Sequence, residues 1–426
     1  MRVSGAEAGR IALEILGELP PARAATLATF RAADGATIDQ GIALFFPAPH
    51  SYTGEDVLEL QGHGGPMVMA ALLRRSVELG ARIAEPGEFT RRAYLNDRID
   101  LAQAESVADL IDASSAEAAR SAARSLTGEF SKRIHALVDR LVDLRMHVEA
   151  CIDFPDEEID PADRAAQQKK LASILSDLST LREEACQGAV LREGLVVVLI
   201  GRPNVGKSSL LNRLAGDEVA IVTPIAGTTR DYVRATVSLE GVPIHLIDTA
   251  GLRDSGDEVE RIGVERTWRA IQEAGAALYV TETGADQGDE EASHLARLPA
   301  TLPIAHVVNK IDLGAVEKET PGGECDGTVI RVSAKTGVGM DALRAWLLQT
   351  AGWKPHGEGL FMARSRHLQA LEEAGEHLYE ARSRIQAFEL FAEELRIAQR
   401  ALSRITGEFG ADDLLGEIFS RFCVGK

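Results

Sequence analysis

The sequence predicts a multidomain chain of α/β and all-α parts: an N-terminal α+β domain, a central helical domain, and a P-loop α/β domain inserted into the helical one. Three observations predict this. Up to about residue 115, short alternating runs are joined by turn residues. From about 116 to 193, and again after Gly352-Trp353, apolar residues recur at helical spacing. Between those stretches, Leu195–Ile200 is a continuous apolar run, as a buried parallel strand requires. It leads into the glycine-rich loop Gly201-Arg-Pro-Asn-Val-Gly-Lys-Ser208, which opens a helix.

The elements follow in order. Alternation at Ala25–Phe30, the turn Asp34-Gly35 and Thr37–Phe46 read as a hairpin. Asp56–Leu60 adds a strand, and Pro66–Leu79 has helical spacing. Leu137, Leu141, Leu144, Met146 and Val148 fit one apolar helix face. Pro155 and Pro161 interrupt the helical pattern, which resumes over Pro161–Leu191. After the glycine-rich loop, Val233–Leu239 and Ile244–Ile247 pair across Glu240-Gly241, and Ala276–Val280 and Ile304–Val308 are further short strands. His367–Ala387 and Phe391–Leu402 are helical, Asp412–Ser420 is a short amphipathic helix, and Thr320–Gly327 is linker-like. The expected boundaries are 1–115, 116–193, 194–351 and 352–426, with both helical halves packing into one domain around the insert.

Composition narrows the function classes. At 426 residues the chain has room for two or three domains. No apolar run approaches the ~20 residues of a membrane span, and the N-terminus lacks the pattern of a signal peptide. Cys151, Cys186, Cys325 and Cys423 form no CxxC pair, so a reduced, cytoplasmic setting is expected. A net charge of −19 argues against stand-alone binding of phosphate polymers, though not against RNA presented by a second protein.

Five motifs in order carry the chemistry. In the first, Asn204, Val205, Gly206, Lys207, Ser208 and Ser209 surround phosphates. The glycines let backbone N–H groups close on phosphate oxygens, Lys207 reaches the β- and γ-phosphates, and Ser208 ligates Mg²⁺. In Gly227-Thr-Thr-Arg-Asp231, Thr229 can add an oxygen to Mg²⁺. In Asp248-Thr249-Ala250-Gly251, Asp248 can hold a Mg²⁺-bound water and the Gly251 N–H can meet the γ-phosphate. Asn309-Lys310-Ile-Asp312 selects the base, because the Asp312 carboxylate can accept two hydrogen bonds from guanine. Adenine would leave it unpaired, at a cost of several kcal/mol. Ser333-Ala334-Lys335 completes the base pocket. The insert therefore reads as a Ras-like P-loop GTPase domain using GTP and Mg²⁺.

Many such domains place a water-orienting glutamine after DxxG. Here that residue is Leu252, which cannot polarise water, and Arg253, Asp254, Asp257, Glu258 and Glu260 stand as substitutes. No arginine finger is identifiable. A monovalent cation could replace it, with Asn204 either its ligand or a loop-stabilising side chain.

With both flanks, these residues resemble the MnmE (TrmE) family of bacterial tRNA-modification GTPases. The resemblance rests on Asp39-Gln-Gly-Ile-Ala-Leu44, Tyr52-Thr-Gly-Glu-Asp56, Glu59-Leu-Gln-Gly-His-Gly-Gly65, Pro86-Gly-Glu-Phe-Thr90, Asp109-Leu-Ile-Asp-Ala-Ser114, Asp153-Phe-Pro-Asp-Glu-Glu158 and Phe422-Cys-Val-Gly-Lys426. It implies a folate-binding, homodimerising N-terminal domain ahead of the helical domain and inserted G domain. It implies a K⁺ ion held by Asn204, Thr223, Ile225 and Thr228, and Glu260 as the residue that positions the attacking water. It implies a complex, heterotetrameric or larger, with the FAD-carrying partner MnmG (GidA). Together the two modify C5 of the wobble uridine of certain tRNAs, using 5,10-methylene-tetrahydrofolate (or 5-formyl-tetrahydrofolate) bound by residues matching Arg2, Glu59, Arg98 and Lys426. The family's pattern has an additional strand and Gly-rich turn ahead of the segment matching Arg2, and this sequence does not contain it.

Three features are weighed between two readings. Cys423 is a catalytic thiol toward C6 of uracil or a small residue near a folate pocket. His63 is a base or a structural histidine, and Asp156-Glu-Glu158 is a helix boundary rather than a metal site. The main rival function is a ribosome-assembly-type GTPase acting as a binding module, whose kind usually appends basic domains. A membrane scaffold is a third, without a membrane-binding stretch to support it.

Overall fold

A computed structural model describes residues 1–153, 161–202, 204–216, 235–248, 274–283, 298–299, 301–313, 328–354 and 359–407. The chain divides into two compact units. One comprises Met1–Ala108, Ser125–Ser176 and the stretch from Ala370; the other comprises Asp109–Arg124 and Asp177–Gln369.

In the first unit, β1 (Arg2–Ser4), β2 (Thr26–Arg31), β3 (Thr37–Phe46) and β4 (Val57–Gln61) form an antiparallel sheet of order β1-β4-β3-β2. The expected hairpin is β2–β3, pairing Leu27 with Ile42. The face carrying Phe30, Ala43, Phe45, Leu58 and Leu60 is buried under α1 (Ala8–Leu16) and Leu72 of α2 (Pro66–Glu78). α1 is amphipathic through Ile11, Ala12, Ile15 and Leu16. It ends at Gly17, whose left-handed backbone lets its N–H reach the Leu13 carbonyl at 2.8 Å. α3 (Glu88–Leu95) and α4 (Leu101–Asp112) follow, and Leu101 and Ala104 pack with Tyr94 and Ile99.

The helical spacing after residue 116 becomes α5 (Ala116–Leu126), α6 (Glu129–Asp153) and α7 (Pro161–Glu193). Leu137, Leu141, Leu144 and Val148 are buried as expected. Met146 is 52% exposed: it lies two residues from Leu144, about 200° around the helix, and so leaves the apolar face. Pro161 begins α7, where its missing N–H costs no helical bond. α6 packs along α11 (Phe388–Thr406), and Arg145 Nη1 donates to Gln399 Oε1 at 2.5 Å. Helices far apart in sequence thus meet in one unit. α10 (Ser365–Ser383) precedes α11.

The second unit is built on a six-stranded sheet of order β10-β9-β8-β5-β7-β6. Its strands are β5 (Leu195–Ile200), β6 (Ala235–Leu239), β7 (Val242–Asp248), β8 (Ala276–Glu282), β9 (Ile304–Asn309) and β10 (Thr328–Arg331). All pairs are parallel except β6–β7. The chain leaves β5 to fill one side of it with β7 and β6, then crosses to β8 on the other. β5 is therefore the topological switch point, and the crevice beyond its carboxyl end is where open α/β sheets bind ligands. α8 (Lys207–Gly216) and α9 (Met340–Thr350) cover a core of Val197, Leu199, Ile244, Leu246, Leu278, Val280 and Val307. Among the described residues, no helix is long and apolar enough to cross a membrane.

Candidate functional site

The glycine-rich loop sits at the switch point. Gly201 has φ 150°, and a Cβ there would lie 2.2 Å from the Val280 carbonyl oxygen. Gly206 has φ 95°, and a Cβ there would lie 2.3 Å from Asn309 Nδ2. Neither position admits a side chain, so the backbone alone forms the cradle. Asn204 is in the left-handed region at φ 65°, which asparagine tolerates better than most residues, and it is exposed. Val205 is buried in the sheet core. Lys207, only 7% exposed, folds back so that Nζ donates to the carbonyls of Gly201 and, at 3.0 Å, Arg202. Ser208 and Ser209 lie exposed in the first turn of α8, where the helix dipole favours an anion.

Asp248 ends β7, paired in register with Leu199 of β5, so its backbone lies beside the strand that feeds the loop. Thr223, Ile225, Thr228, Thr229, Thr249, Ala250, Gly251 and Glu260 lie outside the described residues, as do Cys423 and Lys426.

The base-reading motifs join the loop through one side chain. Asn309, 1% exposed, donates from Nδ2 to the Val205 carbonyl at 2.9 Å, while its Oδ1 accepts the Ala334 N–H at 3.1 Å. It links the phosphate loop, the end of β9 and the Ser333–Lys335 turn. Asp312 is exposed, and its Oδ1 accepts the Ser333 hydroxyl at 2.6 Å. That bond, helped by the charge of Lys335, holds the carboxyl below its usual range, so it stays an acceptor. Ser333 is fully buried, and its Oγ also accepts the Thr336 N–H at 3.2 Å. Lys310, in a left-handed conformation at φ 61°, reaches Glu282 at 2.6 Å. Sequence reasoning missed Glu282. Its signal is its place opposite Asn309 at the matching end of the neighbouring strand.

A second cluster lies in the N-terminal sheet. Arg2 of β1 stands opposite Glu59 of β4, and its Nε and Nη2 reach Glu59 Oε1 at 2.8 and 2.7 Å. The guanidinium lies 5.6 Å from the ring centres of both Tyr52 and Phe89. Arg98 flanks the same loop: a Cβ on Gly54 would meet its Cγ at 3.3 Å. Three of the four expected folate-contacting residues thus border the 52–59 segment. Tyr52, Phe89 and Glu88 were not expected there. Glu88 is 7% exposed and accepts from Arg82 at 2.8 Å, Arg92 at 2.8 Å and the Glu85 N–H at 2.8 Å. Burial pushes its carboxyl up, but the Arg82, Glu85 and Arg92 donors outweigh that and bring it down to about 2.

His63 is not a core histidine. It is exposed, with Nδ1 2.8 Å from Asp39 Oδ1 and its N–H donating to Asp39 Oδ2 at 2.8 Å. Those two bonds, and one from the Gln40 N–H, hold Asp39 below the usual carboxylate range.

Fold and site together define a P-loop GTPase, its phosphate loop at the switch point and its NKxD and SAK turns joined to that loop by Asn309. The family description "GTP-binding protein TrmE N-terminus" matches residues 1–98, and "MnmE helical domain" matches residues 101–423. The tRNA modification GTPase MnmE of Azoarcus sp. (strain BH72) is 59% identical over 100% of this chain and 94% of its own length. That of Thiobacillus denitrificans is 58% identical over the same shares. Among solved structures, Aquifex aeolicus Era bound to GDP·AlF4⁻ covers 43% of this chain and 66% of its own at 24% identity, with a TM-score of 0.29, a likeness too loose to bear on the site. The chain belongs to the MnmE family.

Proposed function

We propose that this protein hydrolyses GTP to drive modification of a tRNA, adding an aminomethyl or carboxymethylaminomethyl group at C5 of the wobble uridine. The observation that carries the reading is Asn309. One buried amide ties the guanine-reading turn to the phosphate cradle, in a chain whose relatives along its whole length are tRNA modification GTPases. Lys207, the backbone of 204–208 and Asp312 hold GTP; Ser208, with Thr229, holds Mg²⁺. Asn204, with Thr223, Ile225 and Thr228, holds K⁺ in place of an arginine finger, and Glu260 positions water, since Leu252 cannot. The Arg2–Glu59 cluster takes the folate, which supplies the one-carbon unit when bound. FAD resides on the partner MnmG (GidA), in a heterotetramer or larger built on a homodimer of this chain, in the cytoplasm. The net charge of −19 fits a division in which the partner supplies most of the tRNA-binding surface.

The primary test is mass analysis of wobble uridine in tRNA from a deletion strain, where the modification is expected to disappear; unchanged modification overturns the reading. GTP turnover is expected to rise strongly in K⁺ relative to Na⁺, and equal rates remove the cation role of Asn204. Glu260→Ala should bind GTP normally while hydrolysis falls by about 100-fold or more. Normal turnover in that variant would move the water-positioning role elsewhere.

A further inference from the structure

Arg2 is held more firmly than an exposed arginine in an ordinary surface ion pair. Its side chain keeps about a third of its surface, yet it has partners on three sides: Glu59 through two nitrogens, the Tyr52 ring and the Phe89 ring. Fixing an arginine costs much of its rotamer freedom, and an exposed ion pair alone returns little of that. The partners are themselves fixed. Tyr52 Oη is 2.9 Å from Oγ1 of the fully buried Thr90, beside Phe89 in the first turn of α3. That turn is anchored by Glu88, which holds Arg82 and Arg92. Arg92 Nη1 reaches Glu55 Oε2 at 2.9 Å, and the same oxygen accepts the Ser4 hydroxyl at 2.9 Å. Ser4 lies on β1, two residues from Arg2, so the frame closes on the strand it serves. Among the described residues, Arg2 Nη1 has no hydrogen-bond partner.

We infer that Tyr52 and Phe89 are positioning residues that clamp the Arg2 guanidinium, presenting its remaining N–H donors to a carbonyl or carboxylate oxygen of a bound folate. The inference rests on the folate reading of this cluster and assigns within it a role to two rings. The clamp fixes the plane of the cation before the ligand arrives, so the ordering cost is met in folding rather than in binding. A lysine at this position would leave the clamp nothing to hold, since an ammonium has no plane to fix.

The test is calorimetric titration of the full-length chain with 5-formyl-tetrahydrofolate. Tyr52→Leu should weaken binding about 5- to 10-fold more than Tyr52→Phe does, since both lose the Thr90 hydrogen bond and only Tyr52→Phe keeps the ring. Arg2→Lys should also weaken binding, and adding Tyr52→Leu to Arg2→Lys should cost much less than Tyr52→Leu alone. If wild type binds while Tyr52→Leu binds as well as Tyr52→Phe, or if the two substitutions act additively, the clamp is overturned and the folate reading stands. If wild type does not bind, the folate reading falls and the clamp with it.

Discussion

Asp312 shows how one carboxylate selects a base. Its Oδ1 is steadied by Ser333, and that bond with the Lys335 charge keeps it ionised. In Asp312→Asn, one guanine-facing oxygen becomes an amide donor that meets the donors of guanine. Competition assays should show GTP binding weakened about 100-fold, with xanthosine triphosphate, which has a carbonyl at C2, gaining; retained guanine preference would refute the assignment. Glu88 is the other carboxylate with a measurable consequence. Its folded-state value is near 2 against an ordinary 4.5, so its contribution is fully present above about pH 4.5 and is lost as pH falls toward 2. Partial solvent screening at the exposed Arg82 leaves about 2 kcal/mol of the shift. Thermal unfolding of wild type and Glu88→Gln should therefore differ by a constant gap above pH 5 that closes toward pH 2. A gap independent of pH would mean that the carboxylate charge is not what stabilises α3.

The β6–β7 hairpin turns at Glu240-Gly241. Glu240 and Gly241 both have positive φ, 49° and 88°, as a two-residue hairpin turn with matching twist requires. The tip is docked as well as tight. The Ser115 hydroxyl donates to the Gly241 carbonyl at 2.8 Å while accepting the Ala118 N–H at 3.0 Å, so one side chain caps α5 and holds the turn. The Trp353 indole N–H reaches Glu240 Oε2 at 3.2 Å. A Cβ on Gly241 would lie 2.6 Å from the Glu117 Cβ, whereas one on Gly35, at φ 81° in the β2–β3 turn, would meet open space. Both glycine-to-alanine changes carry the strain of positive φ, about 1 kcal/mol, and Gly241→Ala should cost roughly 1–2 kcal/mol more in denaturant unfolding. Equal losses would mean that the dock yields freely. Strands of this kind were legible in the sequence because their apolar runs are bounded by turn residues, as with Leu195–Ile200 and the hairpin Thr26–Phe46. α3 was not, because its buried residues are Glu88, Phe89, Thr90 and Ala93, and two polar residues of four erase the apolar period. The phosphate and base motifs were legible as spacing, but Glu282, Tyr52 and Phe89 were not, since each reaches its partner across strands or elements far apart in sequence.

For the whole molecule, the question is where the GTPase unit ends. Residues 194–351 contain every nucleotide motif, and the glycine and tryptophan at 352–353 look like the border. The packing extends further on both sides. Leu191 of α7 is 3% exposed within the same core as Val197 and Leu246, and Val190, Trp353 and Leu360 pack against it. Gln187 donates from Nε2 to the Gly352 carbonyl at 3.0 Å and accepts the Lys354 N–H at 2.9 Å through Oε1. Gly188 faces the Phe361 carbonyl so closely that a Cβ would lie 1.9 Å from it. Farther along, Asp109 of α4 is buried between Arg192 at 3.0 Å and Arg364 at 2.8 Å, a buried charge that must keep its partners. The physical unit is therefore the sheet together with Asp109–Arg124, the end of α7 and the segment around Phe361, and sequence motifs alone underestimate it because packing residues carry no motif. A fragment of residues 177–369 should unfold in guanidinium at a clearly higher midpoint than one of residues 194–351. Leu191 alone contributes about 2 kcal/mol of burial, and the Gln187 bonds about 1 kcal/mol each. The longer fragment should also show the steeper transition, because it buries more surface. Coincident transitions would put the border back at Gly194 and Ala351, and would make the α7 contacts a docking of separate parts rather than a shared core.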